Sequence, residues 1–171
     1  MKIGIFIGRF QPFHTAHLKD IQDILKVVDI LHIGIGSAQK KGTEENPYSF
    51  AERRIMISKA LSEAHIKGCR FFPIHDVGDD DLWANEIERK LHTKNRRSEV
   101  IIYSGNDWTL DCFKKKGYTI KKISLIGGIS GTIIRGLMKE NKQWEQLVPK
   151  AVEKFIKNRE IAGSEPNNSK D

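Results

Sequence analysis

Short apolar runs that alternate with helix-like stretches are the feature that most constrains this chain. Residues 2–8 read KIGIFIG and are nearly all apolar, as in a strand buried on both faces of a parallel sheet. The following stretch instead carries apolar residues at helical spacing, namely Leu18, Ile21, Leu25 and Val28. Because neighbouring parallel strands need a long crossover that is usually a helix, the alternation predicts an α/β fold.

The same alternation continues along most of the chain. Further strands are predicted at residues 30–38, 69–74, 99–105 and 118–126. Helices are predicted at residues 49–64, 80–92, 130–141 and 149–160, with a shorter one that ends near Gly117. We therefore predict one doubly wound, Rossmann-like parallel-sheet domain over residues 1–162, finished by C-terminal helices. Residues 163–171 are polar and aperiodic, which predicts a disordered tail.

The composition is that of an ordinary water-soluble globular protein. The 171 residues suffice for one full domain, with 39% hydrophobic and 30% charged residues. No apolar run approaches the ~18–20 residues that a membrane span needs, and the first residues do not resemble a signal peptide. Cys69 and Cys112 lie outside any CxxC, so we expect no disulfide framework. These observations favour a cytoplasmic protein without a membrane partner.

The net charge of +7 raises the question of a nucleic-acid partner. Basic residues cluster at residues 89–97 and 114–122, and such clusters can mark a nucleic-acid surface. The first cluster, however, has no aromatic residues between its basic ones, as a stacking platform for bases would need. We expect no nucleic-acid partner and keep an RNA-binding module as the alternative from another functional class.

Polar or glycine-rich segments follow four of the predicted strands: GRFQPFHTAH, GSAQKKGTEENP, HDVGDDDLW and SGN. In parallel α/β sheets, ligands bind at the carboxyl ends of strands, where the strand order reverses. The chain has no GxxxxGK[ST] and no GxSxG, and its GIGSAQ lacks the third glycine of a dinucleotide fingerprint. The pattern predicts an α/β nucleotide-binding protein that is neither a P-loop NTPase nor a ready-made dehydrogenase.

The segment after the first strand contains residue types that suit a phosphate-binding site. Gly8 allows close approach of a ligand to the backbone, and the guanidinium of Arg9 suits phosphate oxygens. His14 and His17 share one face of the first helical turn, where free amides and the helix dipole attract anions. A zinc site would need a third ligand that no nearby pattern supplies, so we predict no metal bound by protein side chains. A purely structural histidine pair stays open.

A second helix start carries similar chemistry in ISGTIIR, residues 129–135. Ser130 is a natural N-cap, Gly131 permits close backbone approach, and Thr132 and Arg135 are three residues apart. Alone, this segment is explained slightly better as an ordinary cap followed by a surface arginine. Together, the two cationic helix starts predict a clamp on a polyphosphate.

These motifs resemble a known family. GRFQPFHTAH is similar to the signature of nucleotidyltransferases related by an HxGH motif, and ISGTIIR to their distal motif. Residues 35–57, 80–88, 100–107 and 143–152 resemble segments of the archaeal-type nicotinamide mononucleotide (NMN) adenylyltransferases. The resemblance covers residues 1 to about 158. It implies that the 5′-phosphate of NMN attacks the α-phosphorus of ATP in line, giving NAD and pyrophosphate without a covalent enzyme intermediate.

The resemblance also implies roles for individual residues. The ATP-binding residues would be Gly8, Arg9, Phe10, His14, His17, Asn106, Ser130, Gly131, Thr132 and Arg135. Of these, His17, His14 and Arg135 would be the catalytic ones, and a helix cap explains Asn106 nearly as well. Ser37, Gln39, Asn46 and Trp83 would surround NMN, with Trp83 stacked on the pyridinium or simply packed in the core. Mg²⁺ would bridge the ATP phosphates, and the family suggests a homo-oligomer, often a hexamer.

Two residues depart from the family pattern. Ala16 replaces the glycine of HxGH and could crowd the triphosphate, although we expect the site to survive. Glu45 stands where some relatives carry a basic residue, so one phosphate contact would be missing or supplied elsewhere. The alternatives within this class are another adenylyl or cytidylyl transferase, use of nicotinic acid mononucleotide, and a nucleotide sensor that has lost catalysis.

Overall fold

A five-stranded, all-parallel sheet forms the centre of the computed structural model, which describes residues 1–123 and 126–164. The strands are β1 (Ile3–Gly8), β2 (Ile30–Ile35), β3 (Cys69–Pro73), β4 (Val100–Ser104) and β5 (Thr119–Lys122). Their order in the sheet is β3-β2-β1-β4-β5, and each neighbouring pair is parallel. The predicted Rossmann-like α/β fold is confirmed.

The helices follow the strands as the sequence predicts. They are α1 (Thr15–Ile24), α2 (Phe50–Glu63), α3 (Asp80–Leu91), α4 (Asp107–Lys114), α5 (Gly131–Lys139) and α6 (Lys150–Ser164). Short 3₁₀ turns occur at Lys94–Glu99, Ile126–Gly128 and Glu145–Leu147. In the described ranges, no helix is both long and apolar enough to cross a bilayer.

Several element ends differ from the prediction, each for a local reason. The α1 helix stops at Ile24, so the buried Val28 packs from the turn that follows it. Strand β2 ends at Ile35, because Ser37 takes a left-handed backbone conformation (φ 48°) two residues later. Helix α6 continues to Ser164, two residues into the predicted tail. The rest of that tail, residues 165–171, lies outside the described residues, as do residues 124 and 125 of the predicted fifth strand.

Two hydrophobic cores cover the two faces of the sheet, because side chains along each strand alternate. Ile3, Ile5 and Ile7 of β1 pack with residues of α3 and α4 on one face. Phe6, between them, packs on the other face with residues of α1, α2, α5 and α6. The sheet is therefore buried on both sides, as its apolar strands indicate.

The strand order fixes where a ligand can bind. The chain moves outward from β1 to β2 and β3, then crosses back to place β4 on the other side of β1. The loops after β1 and β4 therefore diverge and leave a crevice at the carboxyl ends of the strands. The Gly36 amide donates to the Gly8 carbonyl at 2.9 Å, which joins the loops after β1 and β2 at this edge.

Candidate active site

A cavity of about 370 Å³ lies at this edge of the sheet. The segment after β1 supplies its centre, with Gly8, Arg9, His14 and His17 among the lining residues. One side is formed by residues that follow β2 and β3, namely Ser37, Asp76 and Trp83. The opposite side is formed by Ser104, Gly105, Asn106, Trp108 and Thr109, at and after β4. The volume is in the range of small-molecule sites, and polar groups converge on it from three loops.

His14 and His17 cap the first turn of α1 through two reciprocal hydrogen bonds. The His17 amide donates to His14 Nδ1 at 3.4 Å, and the His14 amide donates to His17 Nδ1 at 3.3 Å. The two rings stack with centroids 3.5 Å apart and planes inclined by 16°. A neutral imidazole whose Nδ1 accepts a hydrogen bond carries its proton on Nε2. Both rings are therefore assigned as Nε2–H donors.

The two rings are neutral at physiological pH. Burial lowers the pKa of His14 to about 4. Burial, together with the neighbouring His14, lowers the pKa of His17 well below its ordinary value. Two imidazolium ions in this stack would repel each other and lack hydration, so the pair offers hydrogen bonds rather than two positive charges.

The Phe10 ring packs against the His17 ring instead of lining the cavity. Its side chain is 2% exposed, and its ring centre lies 4.8 Å from that of His17 in an edge-on contact. Phe13 stacks on the same imidazole at 5.5 Å. A Cβ on Gly8 would lie 3.0 Å from the Phe10 ring, so a larger residue there would press on this ring. The Phe10 ring thus fills the core beneath the loop, and its predicted contact with ATP stays a prediction that its backbone would have to meet.

Two guanidinium groups meet near the loop after β1. Arg135 donates to the Gln11 carbonyl at 2.7 Å and to the Thr132 hydroxyl at 3.4 Å. Burial and the nearby charge of Arg9 lower the pKa of Arg135. The Glu45 carboxylate approaches Arg9 at 3.9 Å, and both side chains are exposed. Glu45 therefore occupies, in this structure, an anion position beside the predicted phosphate arginine.

Gly131 lets helix α5 approach the loop after β1. A Cβ at this position would lie 2.6 Å from the Gln11 carbonyl oxygen, which is closer than atoms can pack. Ser130 caps the helix by accepting a hydrogen bond from the Ile133 amide at 3.3 Å. The two predicted phosphate motifs are thus brought together, although the residues of the second do not line the 370 Å³ cavity itself.

Asp76 organises the β2–β3 side and was not anticipated from the sequence. Its carboxylate accepts from the Ser37 hydroxyl at 3.0 Å and pairs with the Lys40 ammonium at 2.9 Å. Its amide donates to Gln39 Oε1 at 3.2 Å. Ser37 and Asp76 line the cavity, whereas Gln39 stands beside it. The sequence feature that indicates a role for Asp76 is its position in a polar segment that follows a predicted strand.

Trp83 fits both interpretations that its sequence position left open. The side chain is 4% exposed and packs against Phe113, yet it also lines the cavity. Trp108, also missed from the sequence, lies 4.8 Å from it and is 43% exposed. The Trp108 indole donates to Asp80 at 3.0 Å, which holds this outer ring in place. The pair forms one aromatic wall of the cavity.

The two predicted asparagines are placed differently. Asn106 caps α4 by accepting from the Thr109 amide at 3.3 Å, and it also lines the cavity. Asn46 is buried in the loop after β2 and does not line the cavity. Its side-chain oxygen has no hydrogen-bond partner among the described residues. The structure therefore separates Asn46 from the residues that it was predicted to join.

Arg53, a third missed residue, holds the loops of the site in register. It is fully buried on α2 and donates to the carbonyls of Arg9 at 2.8 Å, Gly36 at 2.6 Å and Ser37 at 3.2 Å. It also donates to the Ser49 carbonyl. Burial lowers the pKa of Arg53 to about 10, so the group stays cationic near neutrality. The sequence signal was its place three residues before Met56, on the buried face of α2.

The Ala16 methyl lies in the cavity wall, on the first turn of α1. Its side chain is buried, and the turn keeps its hydrogen-bonded histidine cap despite the replacement of glycine. In the described part of the chain, no three His, Cys, Asp or Glu side chains are grouped as a metal site would require. A divalent ion here would thus depend on ligands from a bound phosphate chain.

Comparison with known proteins places these features in context. The sequence matches the cytidylyltransferase-like family over residues 5–162. It is 36% identical over 169 residues to the nicotinamide-nucleotide adenylyltransferase of Thermococcus kodakarensis, covering 96% of this chain and 86% of that protein. With the enzyme of the same name from Thermoplasma volcanium it shares 36% identity over 162 residues, covering 94% of this chain and 87% of that one.

Solved structures agree with the fold. A bifunctional NMN adenylyltransferase/ADP ribose pyrophosphatase from Francisella tularensis, complexed with AMP and a Mn ion, superposes with a TM-score of 0.79 at 26% identity. The match covers 93% of this chain but 49% of that one, so this chain spans about half its length. A NadR protein in complex with NAD and AMP-PNP shares the fold, with a TM-score of 0.62 at 19% identity over 88% of this chain and 45% of its own.

Proposed function

The chain belongs to the cytidylyltransferase-like family, and from this premise we propose that it is a nicotinamide-nucleotide adenylyltransferase of NAD biosynthesis. An oxygen of the NMN 5′-phosphate forms a bond to the α-phosphorus of ATP, while the bond from that phosphorus to the β-phosphate bridging oxygen breaks. NAD and pyrophosphate are the products. The observation that carries the proposal is the mutually capped His14–His17 pair beside two arginines, in a family whose curated relatives bear this activity.

The residues of the site would position and neutralise rather than react covalently. His14 and His17 would donate Nε2–H hydrogen bonds to triphosphate oxygens on which charge builds during transfer. One well-placed donor of this kind is typically worth about 2.7–4 kcal/mol of transition-state stabilisation. Arg9 and Arg135, which are held near each other, would bind the outgoing pyrophosphate oxygens. Ser130 and Thr132 lie on the same helix start as Arg135 and would assist it.

The two sides of β1 would hold the two substrates. We assign NMN to the β2–β3 side, where Trp83 can stack on the pyridinium and Ser37 and Asp76 offer polar contacts. Gln39 stands next to this group, whereas Asn46, which was predicted to join it, is buried outside the cavity lining. ATP would take the centre and the β4–β5 side, where Asn106 lines the cavity.

Mg²⁺ is the divalent ion we propose for the reaction. The described residues offer no grouped set of ligands, so the phosphate oxygens of ATP would hold most of its coordination shell. The ion would supply charge neutralisation on the phosphates. Arg9, Arg135 and the two histidines would meanwhile fix the orientation of the triphosphate.

Part of the charge in the basic clusters is paired within the molecule, which weakens the RNA-binding alternative. Arg97 pairs with the buried Glu88 at 2.7 Å, and Arg96 pairs with Glu99 at 2.7 Å. In the second cluster, Lys122 pairs with Asp107 at 2.8 Å. Because these charges are compensated within the molecule, their field on a polynucleotide is weakened.

Incubation of the purified protein with ATP, Mg²⁺ and either NMN or nicotinic acid mononucleotide tests the proposal. Dinucleotide and pyrophosphate, followed together by chromatography and mass, should appear in equal amounts. The ratio of the two acceptors would decide the substrate, and formation of neither dinucleotide while ATP still binds would defeat the acceptor assignment. Polynucleotide binding that is lost at high salt but survives His17→Ala would support the RNA-binding alternative.

We also propose, from the family resemblance, a cytoplasmic homo-oligomer with a hexamer as the expected assembly. Light scattering of the purified protein would give its mass in solution directly. A mass near the 19.5 kDa of one chain would overturn the oligomer.

A further inference from the structure

A second cleft opens beside the main cavity, between α1 and the ends of β4 and β5. Its volume is about 290 Å³, and it shares Asp20 and Ile123 with the main cavity. The other lining residues are Asp23, Ile24, Val27, Tyr103, Lys121 and Lys122. The cleft therefore extends the site away from Trp83, toward the side that holds Asn106.

Asp20 is a half-buried carboxylate of this cleft, three residues after His17 on α1. No hydrogen bond or ion pair holds it within the described ranges. Asp23, by contrast, pairs with Lys19 at 3.0 Å and Lys26 at 2.6 Å. Burial and the nearby Asp23 raise the pKa of Asp20 to about 6, so near pH 8 it is ionised and can only accept hydrogen bonds.

Tyr103 gives the cleft a second group that lacks a partner. It lies on β4 and is 5% exposed, and its buried hydroxyl makes no hydrogen bond to any described residue. Leaving such a hydroxyl unpaired destabilises the unliganded protein. Burial raises the pKa of Tyr103, so the hydroxyl keeps its proton and can donate. A ligand that pairs with it would recover that energy.

We propose that Asp20 and Tyr103 read the base of ATP and select adenine. This inference rests on the proposed function, which leaves the β4–β5 side of the site for the purine. The 6-amino group of adenine would donate to the Asp20 carboxylate, and its N1 would accept from the Tyr103 hydroxyl. Hypoxanthine and guanine present an oxygen at position 6, so two acceptors would face each other at Asp20. Their N1 carries a hydrogen, which the Tyr103 hydroxyl can turn to accept, so Asp20 carries the selection and Tyr103 adds affinity.

ATP and inosine triphosphate (ITP) are the matched probes, because they differ at position 6 and in the proton on N1. The expected result at pH 8 is a strong preference of the unmodified protein for ATP in kcat/KM for dinucleotide formation. In Asp20→Asn the side-chain amide can donate to the 6-oxygen, so the ATP-to-ITP ratio should fall at least about tenfold. Asp111→Asn is the control, since this exposed aspartate of α4 lines neither cavity.

Tyr103→Phe separates recognition from folding. Its hydroxyl has no partner in the described structure, so the unliganded variant should melt at the same temperature or higher. Its KM for ATP should rise several-fold, with kcat little changed. An ATP-to-ITP ratio unchanged in Asp20→Asn, or a KM for ATP unchanged in Tyr103→Phe, would overturn the proposal. If no dinucleotide forms at all, the ratio of ATP to ITP dissociation constants from calorimetry decides the question separately from the proposed activity.

Discussion

The Nδ1 atoms of His14 and His17 are both engaged by backbone amides, which leaves each ring one outward donor, Nε2–H. This arrangement presents two neutral donors to a phosphate chain without placing two charges in one stack. The cost is sensitivity to acid, because protonating either ring puts a proton on Nδ1 and breaks a cap. The helix start and the anion site therefore depend on the same two nitrogens.

The His14 pKa makes a prediction about stability. Its pKa is about 4 in the folded protein and near 6.5 when unfolded, so the unfolded state binds more protons between these values. Stability from this group is complete above about pH 6.5 and is lost as pH falls toward 4. Between pH 7 and pH 5 the loss should be about 2 kcal/mol.

His14→Asn is the matched variant, because asparagine is a good N-cap but does not titrate. Asp20 acts in the opposite direction, since its raised pKa favours the folded state as pH falls, and it does so in both proteins. The readout is therefore the difference in urea unfolding free energy between unmodified protein and variant at each pH. A difference that stays constant from pH 7 to pH 5 would refute a neutral, buried His14.

Some of these residue-level features could be predicted from the sequence and others could not. The spacing of HTAH places both histidines on one face of the first helical turn, and in the structure both line the cavity. The choice of ring nitrogen depends on side-chain rotamers, which no spacing reveals. The family resemblance put Phe10 among the ATP-binding residues, whereas its left-handed backbone (φ 53°) accompanies a ring turned into the core.

At the scale of elements, the contact between α5 and the loop after β1 joins the two phosphate motifs. Gly131→Ala would push a Cβ against the Gln11 carbonyl and displace Arg135. We expect about 1–3 kcal/mol of lost stability and a KM for ATP raised about tenfold or more. Urea unfolding and steady-state kinetics would measure the two effects.

Gly136→Ala, on the same helix, is the control for that substitution. No atom lies within 4 Å of a Cβ at this position, and alanine is the better helix former. It should raise stability by about 0.5–1 kcal/mol and leave the KM for ATP unchanged. Equal effects of the two substitutions would show that the contact between α5 and the loop after β1 does not organise the site.

Arg53 ties α2 to the loops after β1 and β2 through its carbonyl contacts. Arg53→Met would leave those buried carbonyls unpaired, so we expect a loss of about 3 kcal/mol or more in unfolding free energy. The unfolding free energy of Arg53→Lys should lie between those of the unmodified protein and Arg53→Met, because an ammonium cannot span carbonyls on two loops. Arg54→Met, at the exposed neighbouring position, should change stability by less than about 0.5 kcal/mol. A loss under about 1 kcal/mol for Arg53→Met would contradict this role.

On the scale of the whole molecule, the strand order β3-β2-β1-β4-β5 places the residues of the site on both sides of β1. The alternation of strands and helices, and the polar segments after strands, predicted both the fold class and the edge that carries the cavity. Contacts between distant loops could not be predicted from the sequence. The contacts of Asp76, Trp108 and Arg53 in the site depend on tertiary packing, which local sequence patterns do not encode. Asn46 shows the converse, since a loop position that resembles a binding motif lies outside the cavity lining.

The most direct test of the account is the rate of NAD formation by His17→Asn. Asparagine can keep the acceptor for the His14 amide through Oδ1, while the Nε2–H donor is lost. With NMN, ATP and Mg²⁺, we predict a kcat at least about 100-fold below that of the unmodified protein, with ATP binding retained. His65→Asn, at an exposed histidine whose left-handed backbone asparagine tolerates, should keep full activity. A kcat for His17→Asn within threefold of the unmodified protein would contradict the account.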